Sequence, residues 1–180
     1  IGADLVRINY DIATVPTTMD ADFLAYTPLG VRVLPVATFT GRTPTTTEAQ
    51  NLANWVNRFG PGGSFWAAHP ELQASFAIKH IEFGDDTSYN YQYGDVEATP
   101  GAGDWWNSTT YQTRAANYAT RFREAHIAVQ ATGRAVGLLC IGEDGGSADP
   151  MWVNKLFDTV TDIASRVAGW STKGFSPQWE

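Results

Sequence analysis

Two adjacent carboxylates, Asp85 and Asp86, close the segment Ile78-Lys-His-Ile-Glu-Phe-Gly-Asp-Asp, and Tyr89, Tyr91 and Tyr93 follow at alternate positions. An apolar-rich run that ends in glycine and acid groups reads as a buried strand delivering carboxylates to an aromatic-walled cleft. Carboxyl groups at the carboxyl edge of a parallel sheet suit general acid–base work, because their surroundings can tune them to exchange a proton near neutral pH. Neighbours on an extended strand face opposite ways, so one member of the pair points into a central cleft. The competing reading for both is turn chemistry, in which Asp accepts backbone N–H groups at a strand end.

Other strand ends carry polar groups as well. Arg7, Asn9 and Asp11 alternate along the first apolar segment and therefore share one face. A charge inside a strand is costly to bury alone, so Arg7 and Asp11 are expected to meet partners; an ion pair and a ligand-binding role both satisfy that expectation. Glu143 and Asp144 precede two glycines, which leaves them open to turn chemistry or to a site. Lys173 is an amine near the last predicted strand. Tyr89, Tyr91, Trp105 and Trp106 lie in one long glycine-containing connection and are candidates for stacking on a ligand.

Metal and cofactor signals are weak. His69, His80 and His126 are scattered with no His-x-x-x-His spacing. Asp85, Asp86, Glu143 and Asp144 form an oxygen-rich set for Ca²⁺ or Mg²⁺, but their spacing matches no EF-hand loop. No Walker sequence, dinucleotide fingerprint or Gly-x-Ser-x-Gly elbow occurs, and no cofactor is expected. The one cysteine, Cys140, sits in an apolar run and reads as a small buried hydrophobe.

The elements that must position these residues follow from pattern. Buried strands are predicted over residues 4–12, 31–39, 78–83, 136–141 and 166–170, where Val, Ile and Leu concentrate. Near-continuous apolar runs favour a parallel sheet covered on both faces. Helices are predicted over 46–59, with Thr46 or Thr47 as N-cap, over 109–132, stopped by Gly133, and over 150–163, with a short helix at 19–26. The alternation of strand and helix gives an α/β domain over residues 1–180, either an open doubly wound sheet or a (β/α)8 TIM barrel, whole or as a partial barrel of about five parallel βα units. Loops after strands gather at the carboxyl edge, which is where such folds bind ligands.

Composition narrows the partners. A formal charge of −7 with 12 Lys and Arg in 180 residues offers no basic face for nucleic acid. No apolar run reaches membrane-span length, so no membrane partner is expected. Neutral or cationic ligands suit this charge.

Gly30-Val-Arg-Val-Leu-Pro-Val-Ala, Ile81-Glu-Phe-Gly-Asp-Asp and Arg166-Val-Ala-Gly-Trp resemble successive strands of the clan A retaining glycoside hydrolases. The resemblance implies a TIM barrel acting on polysaccharide or oligosaccharide, and favours a secreted protein. In that clan the fourth strand ends in Asn-Glu, the Glu serving as general acid/base and the Asn holding the sugar 2-hydroxyl. Asp85 and Asp86 stand at those positions. The resemblance therefore makes Asp86 the catalytic acid/base and Asp85 a substrate-binding residue. Arg7, Asp11, Tyr89, Tyr91, Trp105, Trp106 and Glu143 join it as substrate-binding candidates from their own positions. No residue matches the clan's nucleophile on the seventh strand, and the sixth-strand His-x-Tyr is replaced by a stretch with Lys173 and Phe175. A typical barrel takes about 250 residues, so the expectation is an incomplete barrel, with self-association or a second chain covering its open edges. A catalytically silent carbohydrate-binding protein, or an engineered barrel fragment, is the alternative on the same frame.

Overall fold

The protein, seen in a computed structural model, is described over residues 4–72, 74–85, 109–143 and 150–172. The elements in chain order are β1 (Leu5–Asp11), α1 (Asp20–Tyr26), β2 (Arg32–Thr38), α2 (Thr46–Phe59), α3 (Ser64–Ala68), β3 (His80–Phe83), α4 (Thr109–Ala131), β4 (Gly137–Glu143), α5 (Pro150–Thr159), α6 (Ile163–Arg166) and β5 (Val167–Thr172). The five strands form one sheet in the order β1-β2-β3-β4-β5, every pair parallel. This is the α/β class expected from the alternating pattern.

The strand order decides where the helices go. Each crossover steps to the next strand in the same direction, and crossovers of one hand then place every helix on the same face. A doubly wound sheet needs a reversal of order, which these five strands lack. The buried cluster agrees: Val33, Ala37, Ile81, Phe83, Leu138 and Cys140 from the strands pack with Leu52, Trp55, Phe59, Phe122, Val129, Trp152 and Leu156 from the helices. The opposite face carries Leu5, Arg7, Asn9 and Asp11, all exposed, while Val6, Ile8 and Tyr10 between them are half-buried against the core. Coverage of both faces, expected from the apolar runs, is therefore found on the helix side only among the described elements.

Local chemistry sets the element ends. Helix α2 is capped by Thr45, just before the two expected caps, Thr46 and Thr47. The Thr45 hydroxyl accepts from the Glu48 N–H, and the Glu48 carboxylate accepts from the Thr45 N–H. This reciprocal capping box satisfies two orphan donors and explains why the helix starts there. Gly133, at φ +67°, follows α4 as expected. The predicted helix over 150–163 is two pieces, α5 and α6, separated at residues 160–162. Helix α3 had no periodic signal because it is only five residues long. Phe65 and Trp66 anchor it in an aromatic group with Phe23 and Phe59, the latter two rings stacked at 4.0 Å.

Candidate functional site

The carboxyl edge of the sheet, on the face opposite the helices, holds a compact polar group built from three strands. Arg7 of β1 reaches across β2 to Glu82 of β3 and grips it with two parallel hydrogen bonds, Nε to Oε2 and Nη2 to Oε1, each 2.8 Å. The same Nη2 donates to Asp85 Oδ1 at 2.8 Å, and Asn9 Nδ2 donates to Asp85 Oδ2 at 2.8 Å. From the other side, Ser171 of β5 reaches over β4 and donates to Glu82 Oε1 at 2.9 Å. The register explains the reach: Glu82 lies beside Val36, which lies beside Asn9, so these residues share a face.

Burial makes these bonds strong. Glu82 is 2% exposed, and a carboxylate so placed persists only when paired and hydrogen-bonded. The fork of Arg7 supplies both, since a planar guanidinium matches a carboxylate edge to edge. Its charge is held on most strongly by the Glu82 hydrogen bond, opposed by the partial burial of Arg7 and helped by Asp85. Arg7 itself keeps 37% of its side chain open, so the group lies at the surface of this face rather than in a closed core.

Gly84 directs Asp85 onto that face. Strict alternation would turn residue 85 to the helix side, because Phe83 already lies there in the core. Gly84 takes φ +97°, a conformation that L side chains rarely adopt, and this breaks the alternation. Asp85 therefore meets Arg7 and Asn9.

Asp11 lies on the same face but in a second group. Arg42, from the loop after β2, donates to both its oxygens, at 3.1 and 2.6 Å, and to Glu48 at 3.0 Å. Arg42 holds the Asp11 carboxyl below the ordinary carboxylate range, with the Ala13 N–H adding to the effect. The expectation that Arg7 and Asp11 meet partners is met by two separate ion-pair groups. Glu48 thus caps α2 and anchors the loop that carries Arg42.

The strands beneath the site are pinned from the helix side. The Tyr118 hydroxyl of α4 donates to the Phe83 carbonyl and accepts from the Ile141 N–H, both at 2.8 Å. Trp152 Nε1 of α5 donates to the Ile141 carbonyl at 3.1 Å. Ile141 adjoins the point where the β4–β5 register shifts. Helix side chains there supply hydrogen bonds that a straight ladder would have made between strands.

Of the candidate residues, Arg7, Asp11 and Asp85 are placed at this edge. Glu143 ends β4, paired with Thr172; its side chain lies outside the described residues, as do Asp86, Tyr89, Tyr91, Trp105, Trp106, Asp144 and Lys173. Sequence reading missed Glu82 and Ser171. A lone acid inside the apolar run Ile81–Phe83 was the available signal for Glu82. Among the described residues, no group of three or more His, Cys, Asp or Glu could hold a metal ion, and no helix is long and apolar enough to cross a membrane.

The sequence matches no family model and no curated protein.

Proposed function

We propose that this chain is a glycoside hydrolase-like protein of β/α-barrel type, with a sugar-binding cleft at the carboxyl edge of its sheet. The observation that carries the proposal is the alternate-strand layer of Arg7, Glu82 and Ser171. In a (β/α)8 barrel the interior is filled by layers whose members come from alternate strands. Strands 1, 3 and 5 supply this layer, each reaching over the intervening strand.

In this reading Asp86 is the general acid/base. Asp85, fixed by Arg7 and Asn9, is the neighbouring group that meets the sugar. Glu82 is a positioning residue, because its oxygens are taken by Arg7 and Ser171. The tyrosines and tryptophans of the following connection stack on sugar faces. Turnover of a panel of activated aryl glycosides tests the proposal: activity is expected, and Asp86→Asn is expected to lose it.

A second reading, sugar binding without turnover, draws on a specific observation. A retaining mechanism needs two carboxyl groups about 5–5.5 Å apart, one free to attack. Glu82 and Asp85 are both committed to Arg7. Ligand binding with no turnover by the parent protein would select this reading.

A further inference from the structure

Pro35 sits inside β2, a strand with neighbours on both sides, where a residue without an N–H interrupts the ladder. The register shows which neighbour is affected. The Arg32 N–H donates to the Asp4 carbonyl on the β1 side, and the Gly84 N–H just past β3 donates to the Ala37 carbonyl. Alternate residues of a parallel strand bond to opposite neighbours, so Leu34 and Val36 serve β1 while Val33, Pro35 and Ala37 face β3. The donor that Pro35 lacks is therefore one that β3 would have met. Pairing of β2 with β3 is confined to Val36 with Glu82 and Ala37 with Phe83, just past Pro35. By contrast, β1 and β2 pair all the way from Leu5 with Arg32 to Asp11 with Thr38. The amino half of β2 and the approach to β3 are left unjoined, and a cleft of about 250 Å³ opens between them.

The cleft is amphipathic. Leu5, Leu34, Ile78 and Leu139 wall it, and Arg32, Lys79 and His80 stand among them. Arg32 meets Asp4 at 3.6 Å, a loose contact between two exposed side chains. Lys79 makes no ion pair among the described residues. Glu82, two places along from His80, has its oxygens committed to Arg7 and Ser171. Two cations against Asp4 leave the rim positive in a chain of net charge −7. Acids farther off than a Debye length, about 8 Å at physiological salt, are largely screened from it.

We infer that this cleft binds a small carboxylate with an apolar tail, the tail between the strands and the carboxylate at Arg32 and Lys79. Apolar walls with a few placed polar groups are the make-up of a small-molecule site. An apolar cavity of ~150 Å³ takes up benzene, so the space here suits one aromatic ring or a chain of about eight carbons. Arg32 supplies a planar fork that matches a carboxylate, and Lys79 a point charge. The cleft lies at the amino end of the strands, away from the proposed sugar site at their carboxyl edge, and its ligand does not depend on any activity there.

Calorimetric titration of the full 180-residue chain with octanoate, and with 1-octanol as the uncharged probe, tests the inference. Octanoate is expected to bind one-to-one and to shift the amide NMR signals of Leu34, Ile78 and His80. The double variant Arg32→Gln, Lys79→Gln alters exposed side chains only. It is expected to weaken octanoate at least about tenfold, since hydrogen bonds to a charged group are lost. 1-Octanol is expected to bind more weakly than octanoate, and equally to the parent and this variant. Leu34→Trp fills the cleft and is expected to abolish binding of both probes. No saturable octanoate binding, shifts confined to residues outside the cleft, or equal octanoate affinity in the parent and the charge variant overturns the inference. The charge variant carries the test alone if Leu34→Trp does not fold by circular dichroism.

Discussion

Arg7 and Glu82 lie 75 positions apart in the chain and are joined by a two-point hydrogen bond that spans an intervening strand. Glu82 is almost fully buried while Arg7 is partly open. The pair is therefore a lid of charge over the sheet, and its loss is asymmetric. Arg7→Met strands a buried carboxylate and is expected to cost about 3 kcal/mol, near the low end for breaking a buried pair. Arg7→Met with Glu82→Met is expected to recover most of that loss, because no charge is then left unpaired. Urea denaturation of the parent, both single variants and the double variant measures the coupling.

Tyr118→Phe removes one oxygen that serves two buried backbone groups, the Phe83 carbonyl and the Ile141 N–H. Leaving buried polar groups unmet costs roughly 1–3 kcal/mol. Stability is expected to fall by that amount, with amide exchange fastest to rise at Ile141. Hydrogen exchange by NMR reads both.

The fold was legible where one element's own residues decide it. Apolar runs marked all five strands, and Gly133 marked the end of α4. The expected N-cap, Thr46 or Thr47, fell one or two residues late because Thr45, Thr46 and Thr47 are equally good caps by type alone. The Thr45-x-x-Glu48 spacing singles out Thr45, and the Glu48 side chain reaching back to the Thr45 N–H confirms it. The site was legible in part. Alternation put Arg7, Asn9 and Asp11 on one face, but it could not show that Arg7 turns to Glu82 and Asp11 to Arg42. Both choices depend on strand register across the sheet. Nor could it place Asp85 beside Arg7 and Asn9, because Gly84 at φ +97° resets the alternation just before it.

His126 accepts from Arg166, Nη1 to Nδ1 at 3.3 Å, which requires the imidazole to be neutral. Burial, and then the Arg166 charge, hold its pKa below the ordinary histidine value, with Asp162 opposing them. A group whose pKa is lowered by folding contributes stability that is complete above its unfolded pKa and is lost as pH falls through the folded one. Stability is therefore expected to decline as pH drops below about 6.5. His126→Gln is expected to flatten that part of the curve. Thermal melts from pH 8 to pH 5 check the slope; an unchanged slope in the variant would show that other groups produce it.

Cys140 is buried between the sheet and Tyr118, and burial pushes its thiol up to about 12, partly offset by the Tyr118 hydroxyl. The thiolate is the reactive form, so the native protein is expected to resist an aromatic disulfide reagent at pH 8. Labelling is expected only as fast as the protein opens, and at once in denaturant. Rapid labelling of the native protein would contradict the packing of β4 on α4.

The central claim is that the carboxyl-edge cleft is a sugar site with Asp86 as acid/base. Its most direct test is the leaving-group dependence of aryl glycoside hydrolysis by the parent, Asp86→Asn and Asp85→Asn. A general acid matters most when the leaving group is poor, and its removal commonly costs about a hundredfold or more. The account predicts that Asp86→Asn loses phenyl glycoside hydrolysis to that extent while retaining much of its rate on dinitrophenyl glycosides. It predicts that Asp85→Asn changes both substrates alike. No turnover by the parent, or an equal loss on both substrates in Asp86→Asn, would contradict it.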